Sequence, residues 1–547
     1  MKKVLAIVLA LLMVLSLAAC AKDGGSSTPQ SDGGTTQSGD SSAAQPAGSS
    51  APAGSQSGSE TPAQAPAGDV NEERTVYLST SQDSGTLYPN ALNGAFCQTV
   101  TAFYEPMYEI MEDGSYLWLL ATGIDQVSDL EATIHVREGV KFSNGNPLTA
   151  DDIMFSMELC ANDPRFYLNV KAVDMEKTHV VDDYTIDLWY THYDATQAVS
   201  FVSLYIMDKE SFDEVYLASH TIGTGPYVLD EYVINSHLSG IRNENYWGEP
   251  AKIKHLTFKC INEAEQVVNA LAVGDIDYAR GIDITDVDYV KDLGYDVSVS
   301  FGGYTFVEMF SLDANSPLAS KEARLAVAYA TDCASISQVM YQGLSETCVF
   351  PASTHTSDYD PRFAEASPLY AHGYDMDLAK QYAEESGLVG KTVRITNNGS
   401  AGQTIIAQMV QANLIKLGVD AQIITYDNAS YFGTIMDATN FDIAVFEPSC
   451  PSYMCGDVLA NYPDFVPLGW TGSVRDTYGE YAHGAMGTPD AAKAADSLLE
   501  AVKIFEDVVP WYAVVETISP TVISKDLRYD RKTLSGGFRY SDLYFVG

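Results

Sequence analysis

The pattern of hydrophobic and polar residues divides the chain into three stretches of different character. Val4 to Ala19 contains no charged residue, whereas Ala21 to Asp69 contains no Val, Leu, Ile, Met or aromatic residue. From Arg74 onwards, apolar residues recur with the two-residue period of strands or the 3.6-residue period of helices. The pattern therefore predicts an apolar leader, a segment without a core, and a folded body.

Within that body, residues 132–137 alternate apolar and polar side chains and predict a strand. Thr149, followed three positions later by an acid, matches a capping box and predicts the start of a helix. A strand over 392–396, a helix over 404–417 and a strand over 421–425 then predict a β-α-β unit. The body is therefore expected to be α/β, with parallel sheet in at least one part.

The leader has the features of an export signal. Lys2 and Lys3 precede the apolar run, and Leu17-Ala18-Ala19-Cys20 ends it with small residues and a cysteine. The run is shorter than the ~20 apolar residues that a spanning helix needs. It resembles the signal of bacterial lipoproteins, which implies that residues 1–19 are removed and that Cys20 carries the acyl chains, palmitate among them. An ordinary signal peptide with a nearby cysteine is the alternative.

Residues 20–73 are expected to be a disordered tether, because Ser, Gly, Pro and Ala cannot bury enough apolar surface to offset the entropy of ordering. A flexible chain of this length has a root-mean-square reach of roughly 40 Å. The sequence thus predicts a protein on the extracytoplasmic face of the cell membrane, held there by lipid rather than by a helix.

Composition limits the classes of partner and cofactor that the sequence predicts. The formal net charge of −42 argues against nucleic acid as a partner. Seven cysteines besides Cys20 form an odd, widely spaced set that is a poor disulfide framework, with Cys450 and Cys455 as the most favoured pair. The nine histidines are scattered and no C-x-x-C pair occurs, so neither a metal site nor a cofactor is expected.

Seven short motifs stand in order along the body. They are Thr133–Phe142, Asn144–Asp152, Gly223–Tyr227, Asn243–Gly248, Val273–Asp277, Ala323–Asp332 and Lys416–Val419. Together they resemble the peptide/nickel family of extracellular solute-binding proteins, family 5, whose members serve ATP-driven importers. Most are expected to be structural: Gly223–Pro226 as a tight corner, Arg324 as an ion-pair partner, and Asp151 with Asp152 as helix N-terminal charges.

The resemblance implies the periplasmic-binding-protein-like fold, in which two α/β lobes enclose the ligand cleft. Lobe I would comprise residues 74–302 and 513–547, with an extra subdomain at about 111–214. Lobe II would comprise residues 303–512. Because a ligand touches both lobes only in the closed state, binding is expected to shift the population towards closure.

The resemblance also implies which residues line the cleft. From lobe I they are Asn93, Phe96, Tyr278 and Arg280. The chain would cross between the lobes near residues 301–304 and 509–512. From the first crossing and lobe II, the cleft residues are Tyr304, Asn397, Asn398, Glu447, Ser449 and Cys450.

The chain departs from the dipeptide-binding members at two of these places. Those members carry an Arg after the strand that corresponds to 392–396 and an Asp after the strand that corresponds to 442–446. In this chain the first loop contains no Arg. In the second loop, Cys450 occupies the position closest to that of the family's Asp. A buried charged terminus without a counter-charge costs several kcal/mol, so an enclosed dipeptide is disfavoured unless Glu447 replaces that Asp.

The sequence therefore predicts a monomeric, non-enzymatic receptor that delivers peptides, with oligopeptides favoured, to the permease of an ABC transporter. An oligosaccharide or a nickel chelate is the alternative cargo for the same role. A secreted hydrolase and a surface sensor are the alternatives of another class. The G-x-S-x-G, H-E-x-x-H and G-x-x-x-x-G-K motifs, which would favour an enzyme, do not occur in the sequence.

Overall fold

The computed structural model of the protein describes residues 72–89, 97–163, 166–450, 452–534 and 537–546. These residues form one ten-stranded sheet, three smaller sheets and many helices, so the α/β class is confirmed. The expected signal and nearly all of the tether lie outside the described residues. Where the chain is described, no helix combines the length and the hydropathy needed to cross a bilayer.

The strands are distributed along the whole described chain. They are β1 (Val76–Thr80), β2 (Tyr108–Ile110), β3 (Tyr116–Trp118), β4 (Ala121–Ser128), β5 (Glu131–Val136), β6 (His179–Asp182), β7 (Thr185–Trp189), β8 (Tyr227–Val233), β9 (His237–Arg242), β10 (His255–Cys260), β11 (Tyr278–Arg280), β12 (Tyr295–Phe310), β13 (Thr392–Asn397), β14 (Asp420–Thr425), β15 (Ile443–Phe446), β16 (Trp511–Ser524), β17 (Leu527–Arg528) and β18 (Tyr544–Phe545).

Helices connect and cover the strands. The α-helices span Cys97–Val100, Ala150–Asn162, Gln197–Ser200, Glu214–Leu217, Ala264–Ala272, Val287–Asp292, Lys321–Ala330, Cys333–Tyr341, Pro361–Glu365, Pro368–His372, Met376–Glu385, Ala401–Lys416, Asn428–Ile435, Cys455–Phe465, Ser473–Met486 and Ala491–Val508.

The ten-stranded sheet is continuous and has two halves joined by two shared strands. Its order is β14-β13-β15-β12-β16-β11-β1-β10-β9-β8. The long strands β12 and β16 pair antiparallel at the centre. We call β1 and β8–β11 the first half-sheet and β13–β15 the second half-sheet. Because β12 and β16 pass through both, the two halves are connected by hydrogen-bonded backbone and not by loops.

Buried apolar side chains form separate clusters in the different parts of the chain. One cluster, between Phe306 and Val515, covers the second half-sheet. Another joins residues 76–278 of the first half-sheet to residues 527–545 near the chain end. A third, between Met107 and Ile206, packs on the four-stranded sheet β4-β5-β7-β6. This partition is compatible with two lobes and a subdomain, whose boundaries stay a prediction.

The expected β-α-β unit is confirmed. β13 and β14 pair in parallel, and the helix Ala401–Lys416 connects them. The helix begins three residues earlier than expected, because the Ser400 hydroxyl caps it by accepting a hydrogen bond from the backbone of Gln403. Gly418, with φ of +81°, follows its end. The capping box at Thr149 is also present.

The corner at Gly223–Pro226 is tight because backbone approaches backbone. A Cβ on Gly223 would lie 2.1 Å from the carbonyl oxygen of Phe103, and one on Gly225 would lie 2.5 Å from the carbonyl carbon. No side chain fits in that space, so glycine is required at both positions. The N–H of Gly225 donates to the Phe103 carbonyl at 2.9 Å.

The prediction that Arg324 is an ion-pair partner is wrong. Its guanidinium donates to the carbonyl oxygens of Leu318, Ala319 and Val508 at 2.7 to 3.1 Å. Val508 is the last residue of its helix, whose final carbonyls have no partner within the helix. Arg324 is therefore structural, as expected, but it satisfies backbone acceptors instead of a carboxylate.

Six described cysteines are free thiols, as a poor disulfide framework implies, and the most favoured pair, Cys450 with Cys455, is not formed. Four of the six are buried. Burial raises the pKa of all six thiols, for example to about 12 at Cys160 and Cys333. The thiols are therefore neutral at physiological pH.

Candidate functional site between the half-sheets

Strands of both half-sheets end at the same place, beside the middle of the shared strands. β11 runs antiparallel to β16 and ends at Arg280, opposite Thr521. β15 runs antiparallel to β12 and ends at Phe446, opposite Val307. β1 is parallel to β10 and β11, and β13 is parallel to β15. The carboxyl ends of these strands therefore face one gap from two sides, which is where open α/β sheets bind ligands.

The shared strands carry a bulge at this gap. Three residues of β12, Gly302 to Tyr304, face Thr517 of β16 alone. Gly303 has φ of +87°, a conformation that favours glycine. The Thr517 hydroxyl accepts from the N–H of Tyr304 at 3.2 Å and donates to its carbonyl at 3.0 Å. The extra residues leave the Tyr304 side chain 45% exposed at the gap.

The bulge also contacts the loop after β15. The N–H of Cys450 donates to the Gly303 carbonyl at 2.9 Å, and Tyr304 forms an isolated bridge with Ser449. The Ser449 hydroxyl and N–H each lie 2.8 Å from the Tyr462 hydroxyl oxygen. The structure thus brings together Tyr304, Ser449 and Cys450, three of the residues expected to line the cleft.

Glu447 stands at the start of the same loop and is largely enclosed. Its Oε1 accepts from Nε2 of Gln403 at 3.1 Å and from Oγ of Ser400 at 3.5 Å. Burial raises the pKa of Glu447, while these two hydrogen bonds oppose the rise. Within the described ranges, no Lys, Arg or His forms an ion pair with it. Glu447 is thus an acid with neutral donors on one side and no cation.

Asn397 and Asn398 form the turn between β13 and the helix that follows. The side-chain oxygen of Asn397 accepts from the N–H of Gly399 at 2.9 Å, and that of Asn398 accepts from Ser400 at 3.0 Å. The N–H of Asn398 donates to Oε1 of Gln403 at 2.9 Å. Both asparagine side chains therefore hold the turn, and Gln403 connects that turn to the acid after β15.

Tyr278 and Arg280 project from the end of β11 on the other side of the gap. Tyr278 is buried and packs edge-to-face on Phe538 with ring centroids 4.9 Å apart. Arg280 is half-buried. Burial raises the pKa of the Tyr453 and Tyr540 phenols, and the Arg280 charge opposes both rises. The Arg280 charge thus acts on Tyr453, which belongs to the loop after β15.

Asn93 and Phe96, the other two residues expected from the first side, lie outside the described residues. Their role stays a prediction.

A second contact joins the four-stranded part of the chain to the second half-sheet. Lys171 forms an ion pair of 2.8 Å with Asp194, and its charge also lowers the pKa of Asp457 against the dominant effect of burial. The N–H of Ala195 donates to the carbonyl of Met486 at 2.9 Å. We call these residues the rim contact. It joins parts of the chain that the sequence assigns to different lobes.

Three residues at the gap were missed by the sequence analysis: Gln403, Tyr453 and Thr517. Gln403 was detectable, since Ser400 and Gln403 have the spacing of a capping box. Tyr453 adopts φ of +51°, and Thr517 matters only because it faces the bulge. Neither property has a local sequence signal.

Among the described residues, no group of three or more His, Cys, Asp and Glu side chains is placed to hold a metal ion.

The chain is similar in sequence to known proteins. Residues 118–453, more than half of the chain, match bacterial extracellular solute-binding proteins, family 5, middle region. The nickel-binding periplasmic protein of Escherichia coli K12 is 26% identical over 374 residues, which cover 63% of this chain and 69% of that protein. The dipeptide-binding protein of the same strain is 26% identical over 347 residues, covering 56% and 62%.

A solved structure shows the same fold. The ABC transporter substrate-binding protein CtaP of Listeria monocytogenes has a TM-score of 0.76 at 19% identity, covering 87% of this chain and all of that one. The resemblance in sequence is thus confirmed by the family match and by the fold. The chain belongs to family 5 of the bacterial extracellular solute-binding proteins.

Proposed function

We propose that this protein is the substrate-binding lipoprotein of an ABC importer and that it captures peptides, with oligopeptides favoured, outside the cell. The observation that carries the proposal is the gap at the bulge of β12, where strand ends of both half-sheets meet. A ligand there would touch both halves at once. The protein binds and releases its cargo without bond chemistry and passes it to the permease.

The two lobes that we propose have the residue bounds predicted from the sequence. Lobe I comprises residues 74–302 and 513–547, with a subdomain at about 111–214, and lobe II comprises residues 303–512. Contacts to the ligand come from Tyr278, Arg280, Tyr304 and Glu447 among the described residues, and from Asn93 and Phe96. The protein acts as a monomer with one ligand per chain and no cofactor.

Peptide is favoured over the alternatives by the mixed character of the gap. Tyr304 and Tyr453 offer amphipathic rings, and Arg280 and Glu447 offer opposite charges. A nickel chelate is the second candidate, because one relative is named for binding nickel. An oligosaccharide would use the same tyrosines.

The cargo is tested by native mass spectrometry of what co-purifies with the mature chain, followed by calorimetry with peptide libraries and by X-ray scattering. We expect one peptide per chain, unchanged after incubation, and a smaller radius of gyration on binding. Retention of a sugar or a nickel chelate instead would refute peptide as the cargo. Turnover of the bound molecule would refute the receptor role.

The anchor rests on Cys20, which we propose is lipidated and holds the protein on the extracytoplasmic face of the membrane. Labelling of cells with a palmitate analogue should mark the wild-type chain. The Cys20→Ser variant should lose the label and leave the membrane fraction, whereas Cys260→Ser should keep both. A labelled Cys20→Ser variant would contradict the proposal.

A further inference from the structure

A buried carboxylate lies beside the bulge on the shared strand β16. Glu516 is 3% exposed and pairs with Thr305 of β12, the first residue after the bulge. Its Oε1 accepts from the N–H of Thr354 at 3.1 Å, and its Oε2 lies 2.6 Å from Nδ1 of His355. Among the described residues, no Lys or Arg forms an ion pair with Glu516. A buried carboxylate without a counter-charge is unfavourable, and here His355 is the group that can supply one.

The segment that carries His355 is fixed to the second half-sheet side of the bulge. Thr347 forms an isolated bridge with Val515, and the N–H of Glu516 donates to the carbonyl of Glu346 at 3.3 Å. Both contacts lie where β16 pairs with the part of β12 that borders β15. The backbone near His355 is therefore attached to the second half.

The His355 ring reaches across the bulge to the other side. It stacks on Phe301 of β12, with ring centroids 5.5 Å apart and an angle of 20° between the planes. Phe301 precedes the bulge and pairs with Ile518, in the part of β16 that leads to its pairing with β11. A movement of the halves about the bulge would change the distance from Phe301 to Glu516, so the ring can keep both partners in one arrangement only. We call His355, Phe301 and Glu516 the His355 contact.

The groups around the imidazole favour its protonated form. The hydrogen bond with Glu516 raises the pKa of His355 above its ordinary value of 6.5, partial burial opposes this rise, and the charges of Glu516 and Glu346 add to it. Phe301, which β12 contributes, carries no charge. Burial raises the pKa of Cys348, on which the Glu516 charge also acts, well above its ordinary value of 9. The charge that changes near neutral pH is thus that of the imidazole.

We propose that the His355 contact makes the opening of the gap sensitive to pH: the protonated imidazole holds Phe301 and Glu516 together across the bulge, and the neutral imidazole holds them less tightly. Because the pKa of His355 is raised, this stabilisation is fully present below pH 6.5 and is lost as the pH rises through the raised value. The inference rests on the proposed function, since it concerns the opening of the same gap, and it adds a regulation.

The test measures hydrogen exchange in the full mature chain without ligand, at pH 5 and pH 8, with rates corrected for the intrinsic effect of pH. The amides of Tyr304 and Cys450 report on the bulge, because they donate to the Thr517 hydroxyl and the Gly303 carbonyl. We expect their protection in the wild type to fall by about fivefold from pH 5 to pH 8, because a charge-assisted hydrogen bond is roughly twice as strong as a neutral one.

His355→Gln keeps a neutral donor but cannot be protonated, so bulge protection at pH 5 should already be at the wild type's pH 8 level. His372→Gln is the matched control. The His372 side chain is 47% exposed against 46% for His355, lies 2.9 Å from a carboxylate of Asp375, and packs on the ring of Tyr329. This variant should keep the wild-type pH dependence.

Global stability is controlled for by the comparison between chains. Burial raises the pKa of Glu308 to about 8, but every chain compared retains Glu308, so the effect of its titration cancels. Phe301→Leu removes the stack and keeps the ion pair. It should lose most of the pH dependence at the bulge, and it provides a second test should His355→Gln fail to fold.

The radius of gyration from X-ray scattering should be larger at pH 8 than at pH 5 in the wild type, and this increase should be smaller in His355→Gln. Equal pH dependence of bulge protection in the wild type and His355→Gln would overturn the proposal, as would full retention of it in Phe301→Leu. None of these measurements uses a ligand. Their failure would therefore leave the receptor role standing, whereas the cargo experiments test that role separately.

Discussion

Two carboxylates in different halves of the fold, Glu105 and Glu447, illustrate two uses of a buried charge. Glu105 is buried and accepts from four groups: Arg539 at 2.7 Å, Trp247 at 2.8 Å, Tyr246 at 2.5 Å and Thr224 at 3.1 Å. Glu447 accepts from two neutral groups and faces no cation among the described residues.

The difference shows which charges the fold needs for itself. A buried ion pair with all its hydrogen bonds made is complete, and removing one partner leaves the other uncompensated. A half-buried charge without a counter-charge contributes no such stability, so its retention calls for another explanation. In this protein, Glu447 lacks a counter-charge among the described residues where the strand ends of the two half-sheets meet, and the complete pair of Glu105 and Arg539 lies away from that gap.

The largest effect is expected at Arg539. Arg539→Met would leave Glu105 and Glu109 buried without the guanidinium between them. We expect the free energy of unfolding to fall by about 3–5 kcal/mol, measured by urea denaturation. Arg528→Met, at a half-exposed position, should change it by less than about 0.5 kcal/mol.

The contrast between complete and incomplete charges would be refuted if urea denaturation showed a loss of about 3–5 kcal/mol for Arg280→Gln as well. Such a result would mean that Arg280 completes a structural network of its own.

Glu308 gives the second test, because it is a fully buried acid that forms no ion pair with any residue the structure describes. Burial raises the pKa of Glu308 to about 8, and only Thr331 donates to it. Between the unfolded value of about 4.5 and 8, the folded state binds the proton that the unfolded state has lost. Stability from this group is therefore present below that window and is lost as the pH rises through it.

We expect the wild-type free energy of unfolding to decrease from pH 5 to pH 8 and Glu308→Gln to flatten that decrease, measured by urea titrations at each pH. Glu384→Gln, at an exposed position, should follow the wild type. Parallel profiles for wild type and Glu308→Gln would show that Glu308 is ionised in the folded protein.

The smallest effect is expected at the rim contact. Lys171→Met would leave Asp194 and Asp457 without the charge between them. We expect a loss of about 1 kcal/mol in stability and a larger radius of gyration by X-ray scattering in the absence of ligand. Lys177→Met removes an exposed pair within one turn and should change neither quantity. An unchanged radius in Lys171→Met would show that this contact does not hold the halves together.

Much of the fold could be predicted from the sequence because its signals are local. The alternation at β5, the capping box at Thr149 and the β-α-β unit around residues 392–425 each depend on near neighbours. The tight corner at Gly223 was also predicted, although its cause, the approach of the Phe103 backbone, is not local.

The site was less predictable, since its geometry depends on residues far apart in the chain. Tyr304 meets Ser449 and Thr517 only because β12, β15 and β16 are neighbours in the sheet. Arg324 was assigned to an ion pair because its charge is visible in the sequence. Arg324 instead donates to the carbonyl of Val508, and the sequence does not show that this helix end lies beside it in the fold.

The free thiols bear on how the protein withstands an oxidising environment. A neutral S–H reacts slowly with oxidants and disulfides, because the thiolate is the reactive form. Cys450, whose N–H donates to the Gly303 carbonyl of the bulge, is enclosed by side chains that shield its sulfur from reagents. The fold thereby keeps this thiol in its unreactive, protonated form in an environment where disulfides can form.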